Sequence, residues 1–62
     1  MKFGSALNSL LDRKSKAIVR IGKNREVTIV QRANRDMLVI DGRYPFIPSQ
    51  DDIFATDWST IK

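Results

Sequence analysis

The sequence predicts a small α+β fold: an N-terminal helix packed on a small antiparallel sheet of about four to five strands, with a short helical corner before the last strand. Three observations predict it. Apolar residues recur at helical spacing near the N-terminus and at strand spacing in the middle of the chain. Turn-forming residues divide that middle part into short runs. A proline followed by a helix-capping sequence precedes the final run.

The first element is an amphipathic helix, predicted at about residues 3–13. Its apolar residues follow i, i+3, i+4, i+7 and i+8 spacing, which places them on one stripe that faces the core. Lys2 is a poor N-cap, and Gly4 lowers the helix propensity of the first turn. The apolar stripe consists of Phe3, Ala6, Leu7, Leu10 and Leu11.

Four short runs of strand character follow, at residues 16–21, 26–31, 37–41 and 43–47. Gly22 and Asn24 tolerate left-handed backbone in the first turn, and Asp41-Gly42 is a hairpin signal. Several runs are apolar on both faces, whereas a single helix covers only one face of a small sheet. We therefore expect a second subunit to cover the other face.

The segment 46–58 carries the densest set of position-specific signals. Pro48 biases the preceding residue toward an extended conformation. Ser49 is a favourable N-cap, and Asp52 follows at the spacing of a capping box. One or two helical turns then lead to a last strand at 58–61, where Trp58 is predicted to be buried. Compact loops of this kind often carry function.

Length and composition limit the protein to a single domain, 1–62, with a small core. A chain of 62 residues buries only about 60% of the surface that its unfolded form exposes. The sequence has no cysteine and no histidine, so it cannot form disulfides, and zinc lacks both of its preferred ligand types. Asp51 and Asp52 leave a Mg²⁺ site open, but no motif supports one, and we expect no metal or other cofactor. Homo-oligomerisation, as a dimer or tetramer, is the remaining common way to stabilise such a chain.

The same composition argues against an enzyme and against a protein that spans a membrane. Histidine and cysteine are the commonest catalytic base and the best nucleophile, and both are absent. The carboxylates at 51, 52 and 57 are explained by helix capping and closure of the corner. No apolar run approaches the length of a membrane span, and the N-terminus lacks a signal-peptide core, so we expect a cytoplasmic protein.

The charge distribution favours a phosphate-bearing partner. The net charge is +4, and nine of the eleven basic residues lie between positions 13 and 43. Such a field attracts nucleotides or nucleic acid, although it also serves as an ordinary solubilising surface. The five aromatic residues lie near the ends of the chain, whereas a stacking platform for nucleic acid needs them among the basic strands.

Both ends of the chain resemble a small phage and prophage family. Residues 46–58 read Phe-Ile-Pro-Ser-Gln-Asp-Asp-Ile-Phe-Ala-Thr-Asp-Trp, similar to a family motif Trp-Leu-Ala-Ser-Gln-Thr-Asp-hydrophobic-hydrophobic-Ala-x-Asp-Trp. Residues 1–7 resemble the family's opening, Met-x-Phe-Gly-x-Ala-Leu. The family contains anti-Thoeris proteins that act as sponges for nucleotide-derived immune signals, and some relatives are described as anti-CRISPR proteins. The turn after the first strand lacks the aromatic residue that family members usually carry.

The resemblance implies that the chain sequesters a cyclic ADP-ribose isomer or a cyclic dinucleotide, without catalysis, in a pocket between subunits. Similar family members are small α+β proteins that assemble as tetramers. Aromatic rings would stack on bases, arginines would pair with phosphates, and polar groups would read a ribose or base edge. The predicted ligand-binding residues are Phe3, Arg20, Arg25, Tyr44, Phe46, Ser49 and Gln50. The alternative is a small basic phage protein that inhibits a host protein or binds nucleic acid.

Overall fold

The computed structural model describes residues 1–23 and 25–62, and it confirms the predicted α+β fold. Asn24, predicted to lie in the first turn, falls outside the described residues. The sheet is antiparallel with strand order β4-β3-β2-β1-β5, so the last strand pairs with the first. The elements are α1 (Phe3–Leu11), β1 (Ala17–Arg20), β2 (Glu26–Arg32), β3 (Arg35–Ile40), β4 (Tyr44–Pro45), α2 (Gln50–Phe54) and β5 (Trp58–Ile61).

Helix α1 ends at Leu11 rather than at the predicted Arg13, because Arg13 adopts left-handed backbone with φ 61°. The Lys14 N–H donates to the Ser9 carbonyl at 2.9 Å, and the Arg13 N–H donates to the Leu10 carbonyl at 3.2 Å. These bonds satisfy carbonyls of the last turn in the manner of a Schellman motif, with arginine at the position that glycine usually takes.

Two tight turns each contain two central residues with positive φ. Asp41 and Gly42 have φ 56° and 70°, and Ala33 and Asn34 have φ 51° and 63°. Positive φ at both central positions matches the twist of antiparallel strands, so the predicted Asp41-Gly42 hairpin is confirmed. The fourth strand is shorter than predicted, although the Phe46 N–H still donates to β3, at the Leu38 carbonyl, 2.9 Å away.

One face of the sheet, which we call the helix face, carries the hydrophobic core. Ile18 and Val27 are register partners at its centre, and both are fully buried. Helix α1 packs on them with most of its predicted stripe, and Trp58 closes the core from β5. Leu11, predicted as part of that stripe, is instead 45% exposed at the end of the helix. The buried cluster consists of Phe3, Ala6, Leu10, Ile18, Val27 and Trp58.

The alternate residues of the same strands form the opposite face, which we call the open face. Thr28, Val30 and Met37 are half-buried there, and Val39 is buried. All sheet residues of the core cluster lie on the helix face, so neither helix packs against the open face. In the part of the chain that is described, no helix is long and apolar enough to cross a membrane.

Candidate ligand-binding cleft

A cleft of about 420 Å³ opens on the helix face, at the end of the sheet where β1 ends and β2 begins. Its volume falls within the range of roughly 300–1,000 Å³ that is typical of small-ligand sites. Basic side chains line one part of it, and apolar and aromatic side chains line the rest. The lining residues are Arg20, Lys23, Arg25, Val27, Ile40, Pro45, Phe46, Ile47, Asp52 and Trp58.

The apolar wall follows from the pairing of β2 with β3. The tight turn at Ala33-Asn34 joins β2 to β3 and makes Val27 and Ile40 register partners, which places both side chains at the cleft. Phe46 is placed beside them by its backbone bond to β3, and its ring meets Trp58 edge-on at 6.3 Å between centroids. The apolar wall therefore depends on the register of β2 and β3 and on Phe46, which directly follows β4.

Trp58 is the residue that joins the core to the cleft. Its side chain is 3% exposed and packs against Phe3 with 5.0 Å between ring centroids. The indole Nε1–H donates to the carbonyl oxygen of Asp52 at 2.8 Å, which fixes the end of β5 to α2. The prediction that Trp58 is buried at the start of the last strand is confirmed.

The predicted capping box is present at the start of α2. The Asp52 N–H donates to Ser49 Oγ at 3.2 Å, and the Ser49 N–H donates to Asp52 Oδ2 at 3.0 Å. The bond from the Ser49 N–H is the main cause that lowers the pKa of the Asp52 carboxyl, and Arg20 lowers it further. Aspartate thus replaces the usual glutamate of this motif without loss of either bond.

Arg20 lies in the cleft wall, but its guanidinium already binds two carboxylates. Its Nε donates to Asp57 Oδ1 at 3.0 Å, and one terminal nitrogen donates to Asp52 Oδ1 at 3.2 Å. Its side chain is 17% exposed, and its bond to Asp57 lowers the pKa of that carboxyl. One cation meets two anions here, so this part of the cleft does not present an excess of positive charge to a phosphate.

The cations nearer the rim are Lys23 and Arg25. Arg25 Nε lies 3.0 Å from Asp41 Oδ2, and both side chains are exposed. Within the described ranges, Lys23 forms no ion pair. An exposed ion pair contributes little to stability, so Arg25 can exchange Asp41 for a phosphate at low cost.

The structure brings three of the predicted site residues to the cleft: Arg20, Arg25 and Phe46. Phe3 is 9% exposed and its ring packs in the core, so it does not line the cleft. Tyr44 is exposed on β4 outside the lining.

Ser49 and Gln50 are exposed at the start of α2 and do not line the cleft, although Asp52, on the same short helix, does. Sequence reasoning missed Lys23 and Ile47 as cleft residues. The apolar wall depends on the Ala33-Asn34 turn, which fixes which residues of β2 and β3 are opposite each other. Its alanine adopts left-handed backbone, which no local signal marks.

A family model described as the Thoeris anti-defense 2-like domain matches residues 1–61. The match spans the helix, the whole sheet, the corner and every residue of the cleft. Neither the curated proteins nor the solved structures gave a significant match. The chain therefore belongs to the Thoeris anti-defense 2-like family, and it is a protein of the anti-Thoeris, anti-defence class.

Proposed function

We propose that the protein binds and sequesters a nucleotide-derived immune signal, a cyclic ADP-ribose isomer or a cyclic dinucleotide, and does not convert it. The observation that carries the proposal is the composition of the cleft. Lys23 and Arg25 stand near an apolar wall that includes Phe46, within one volume of about 420 Å³. Cations pair with phosphates, and apolar or aromatic walls hold a base. The anti-defence family supports a phage protein that acts on this kind of signal.

The two carboxylates at the corner support binding without catalysis. Asp52 and Asp57 are both bound by Arg20, and the pKa of each carboxyl is lowered. Both therefore stay ionised near neutral pH, where they are poor proton donors and weak bases. Their charge also repels phosphate from the start of α2, which directs phosphates toward Lys23 and Arg25. Gln50, neutral and exposed beside the corner, is suited to a ribose or base edge.

We also propose that the protein acts as a homo-oligomer in the cytoplasm of the infected host cell, with the ligand at a subunit interface. Ile47 lines the cleft and is 85% exposed, and Tyr44 nearby on β4 is also exposed. A neighbouring subunit that covers these side chains would bury apolar surface and close the mouth of the cleft.

Titration calorimetry against a panel of cyclic ADP-ribose isomers and cyclic dinucleotides tests the proposal. The wild-type protein should bind at least one member. Lys23→Ala and Arg25→Ala should each weaken that binding roughly tenfold, the effect of a lost charge-assisted hydrogen bond. Gln50→Ala should weaken it by about 1–3 kcal/mol. Lys14→Ala makes the same charge change at the opposite end of the sheet and should leave binding unchanged.

Two results would contradict the proposal. If no panel member binds at high micromolar concentration, the protein does not sequester these signals, and inhibition of a host protein or binding of nucleic acid takes its place. If Lys14→Ala weakens binding as much as Lys23→Ala, the general positive field binds the ligand and the cleft does not. A steep salt dependence would accompany that second result.

A further inference from the structure

One end of the sheet collects most of the positive charge of the chain. At this end, which we call the basic end, β1 begins, β2 ends and β3 begins. Two acidic residues, Asp12 and Asp36, lie there beside five basic ones, so the basic end carries three of the four net positive charges. The cleft lies at the opposite end of the sheet. The basic residues, all of them exposed, are Arg13, Lys14, Lys16, Arg32 and Arg35.

The β2–β3 hairpin extends past its neighbouring strands at the basic end. Its register pairs continue as far as Arg32 opposite Arg35. By contrast, β1 pairs with β2 at residues 26–27, and β4 pairs with β3 at residues 39–40. Residues 30–37 therefore form a two-stranded ribbon beyond the paired parts of β1 and β4.

The tip of this ribbon has the sequence Arg32-Ala33-Asn34-Arg35. Positive φ at both Ala33 and Asn34 makes a two-residue turn, which keeps the tip as narrow as the two strands. The two arginines are register partners, so their side chains leave the same face of the ribbon side by side. Over residues 1–23 and 25–62, neither takes part in an ion pair. Like charges opposite each other destabilise paired strands, so the stability of the fold does not explain this arrangement.

The other face of the ribbon is flanked by the loop between α1 and β1. Arg13 of this loop reaches the ribbon, where one guanidinium nitrogen lies 3.8 Å from Asp36 Oδ1, and both side chains are largely exposed. An exposed ion pair of this length contributes little, so Arg13 can exchange Asp36 for another anion at low cost. Lys14 and Lys16 follow in the same loop. Cations therefore stand on both sides of the ribbon.

We propose that the basic end binds duplex DNA, with the ribbon in the major groove and the loop cations on the phosphates beside it. The major groove of B-form DNA is about 12 Å wide and admits a two-stranded ribbon. Strands rise about 3.4 Å per residue, so four residue pairs span about 10 Å, which exceeds the groove depth of about 8.5 Å. Arg32 and Arg35 at the tip then lie among phosphates and base edges. This surface is separate from the cleft, and the inference goes beyond the proposed function without resting on it.

Two considerations favour duplex DNA over other nucleic acids. Residues 13–43 contain no aromatic residue, so the segment that forms the basic end offers no ring on which unpaired bases could stack. The major groove of A-form RNA is too deep and narrow for side chains to read. Duplex DNA combines an open groove with one phosphate charge for about every 1.7 Å of its axis.

Fluorescence anisotropy with a labelled DNA duplex, in a series of salt concentrations, tests the proposal. Four neutralised phosphates predict a slope of about −3.6 for the logarithm of the association constant against the logarithm of salt concentration. The double variant Arg32→Ala, Arg35→Ala should bind at least about tenfold more weakly and reduce the steepness of that slope by about 2. The matched control is Lys23→Ala, Arg25→Ala, which removes the same charge at the cleft end and should keep wild-type DNA binding.

A second double variant removes two charges without touching the ribbon. Lys14→Ala, Lys16→Ala should weaken DNA binding by a similar factor, so the proposal stays testable if the tip variant does not fold. Thermal melts check folding, and the tip variant should be as stable as the wild type or more so, because the repulsion between its arginines is removed. Both variants should bind a cyclic nucleotide like the wild type, so the DNA proposal and the sequestration proposal can fail separately.

Four results would overturn the DNA surface. The wild type might show no anisotropy change up to about 100 µM protein at low salt, where non-specific binders already respond. Neither basic-end variant might lose more affinity than the matched control, which would assign the effect to the general positive field. Single-stranded DNA or duplex RNA might compete as well as duplex DNA. Finally, equal competition by poly-glutamate would identify a surface for acidic proteins instead.

Discussion

Replacing Trp58 with alanine removes the residue that joins the last strand, the corner and the core. The indole is 3% exposed and packs at a tilt against the ring of Phe3, and its N–H donates to the Asp52 carbonyl at 2.8 Å. Truncation of a buried tryptophan costs about 3–5 kcal/mol, and the lost hydrogen bond adds about 0.5–1.5 kcal/mol. A core of this size supplies only about 3–5 kcal/mol in all. We therefore expect Trp58→Ala to be largely unfolded at room temperature.

Far-UV circular dichroism and urea titration measure this effect, at one fixed protein concentration because association shifts apparent stability. Phe54→Ala is the matched control. Its aromatic ring is 74% exposed on α2, so its loss should change the free energy of unfolding by less than about 0.5 kcal/mol. If the two variants unfold alike, Trp58 does not hold the corner against the core, and the assignment of the core is wrong.

Three further predictions concern the corner and the glycines. Ser49→Ala removes half of the capping box and should lower the free energy of unfolding by about 1 kcal/mol in urea titration. The folded-state pKa values of Asp52 and Asp57 lie below their unfolded values, so their stabilisation is complete above about pH 4 and is lost below it. The melting temperature should therefore fall on acidification below about pH 4, and a rise there would contradict this account. Gly42→Ala should cost about 1 kcal/mol because φ is +70°, whereas Gly4→Ala, whose Cβ meets no atom within 4 Å, should stabilise α1 by up to about 1 kcal/mol in thermal melts.

Local sequence signals predicted correctly those elements whose start, end or turn is determined by residues next to each other in the sequence. The capping box at Ser49 formed as its spacing predicts, and β5 occupies residues 58–61 as predicted. The Asp41-Gly42 turn is of the same kind, since its residue types demand positive φ. The end of α1 was missed because arginine seldom adopts left-handed backbone, and no local signal marks Arg13 for it.

Contacts between distant segments explain what the sequence could not predict about the cleft. Arg20 and Asp57 are separated by 37 positions, and they meet only because the sheet order puts β5 beside β1. From the sequence, Arg20 was predicted to bind a phosphate. Only the folded chain shows that its guanidinium already binds the carboxylates of Asp52 and Asp57. Phe3 was predicted to bind a ligand, but its ring packs against Trp58 in the core. The helical spacing of Phe3 cannot distinguish these two roles.

Native mass spectrometry tests the central claim most directly, with protein purified under mild conditions from cells that make the Thoeris signal. The account predicts a homo-oligomer that retains one or more molecules of intact cyclic nucleotide mass. A Lys23→Ala, Arg25→Ala double variant from the same cells should retain less, and Lys14→Ala should retain the wild-type amount. Wild-type protein recovered without bound nucleotide, from lysate in which the signal is present, would contradict the account, and so would retention of a cleaved product.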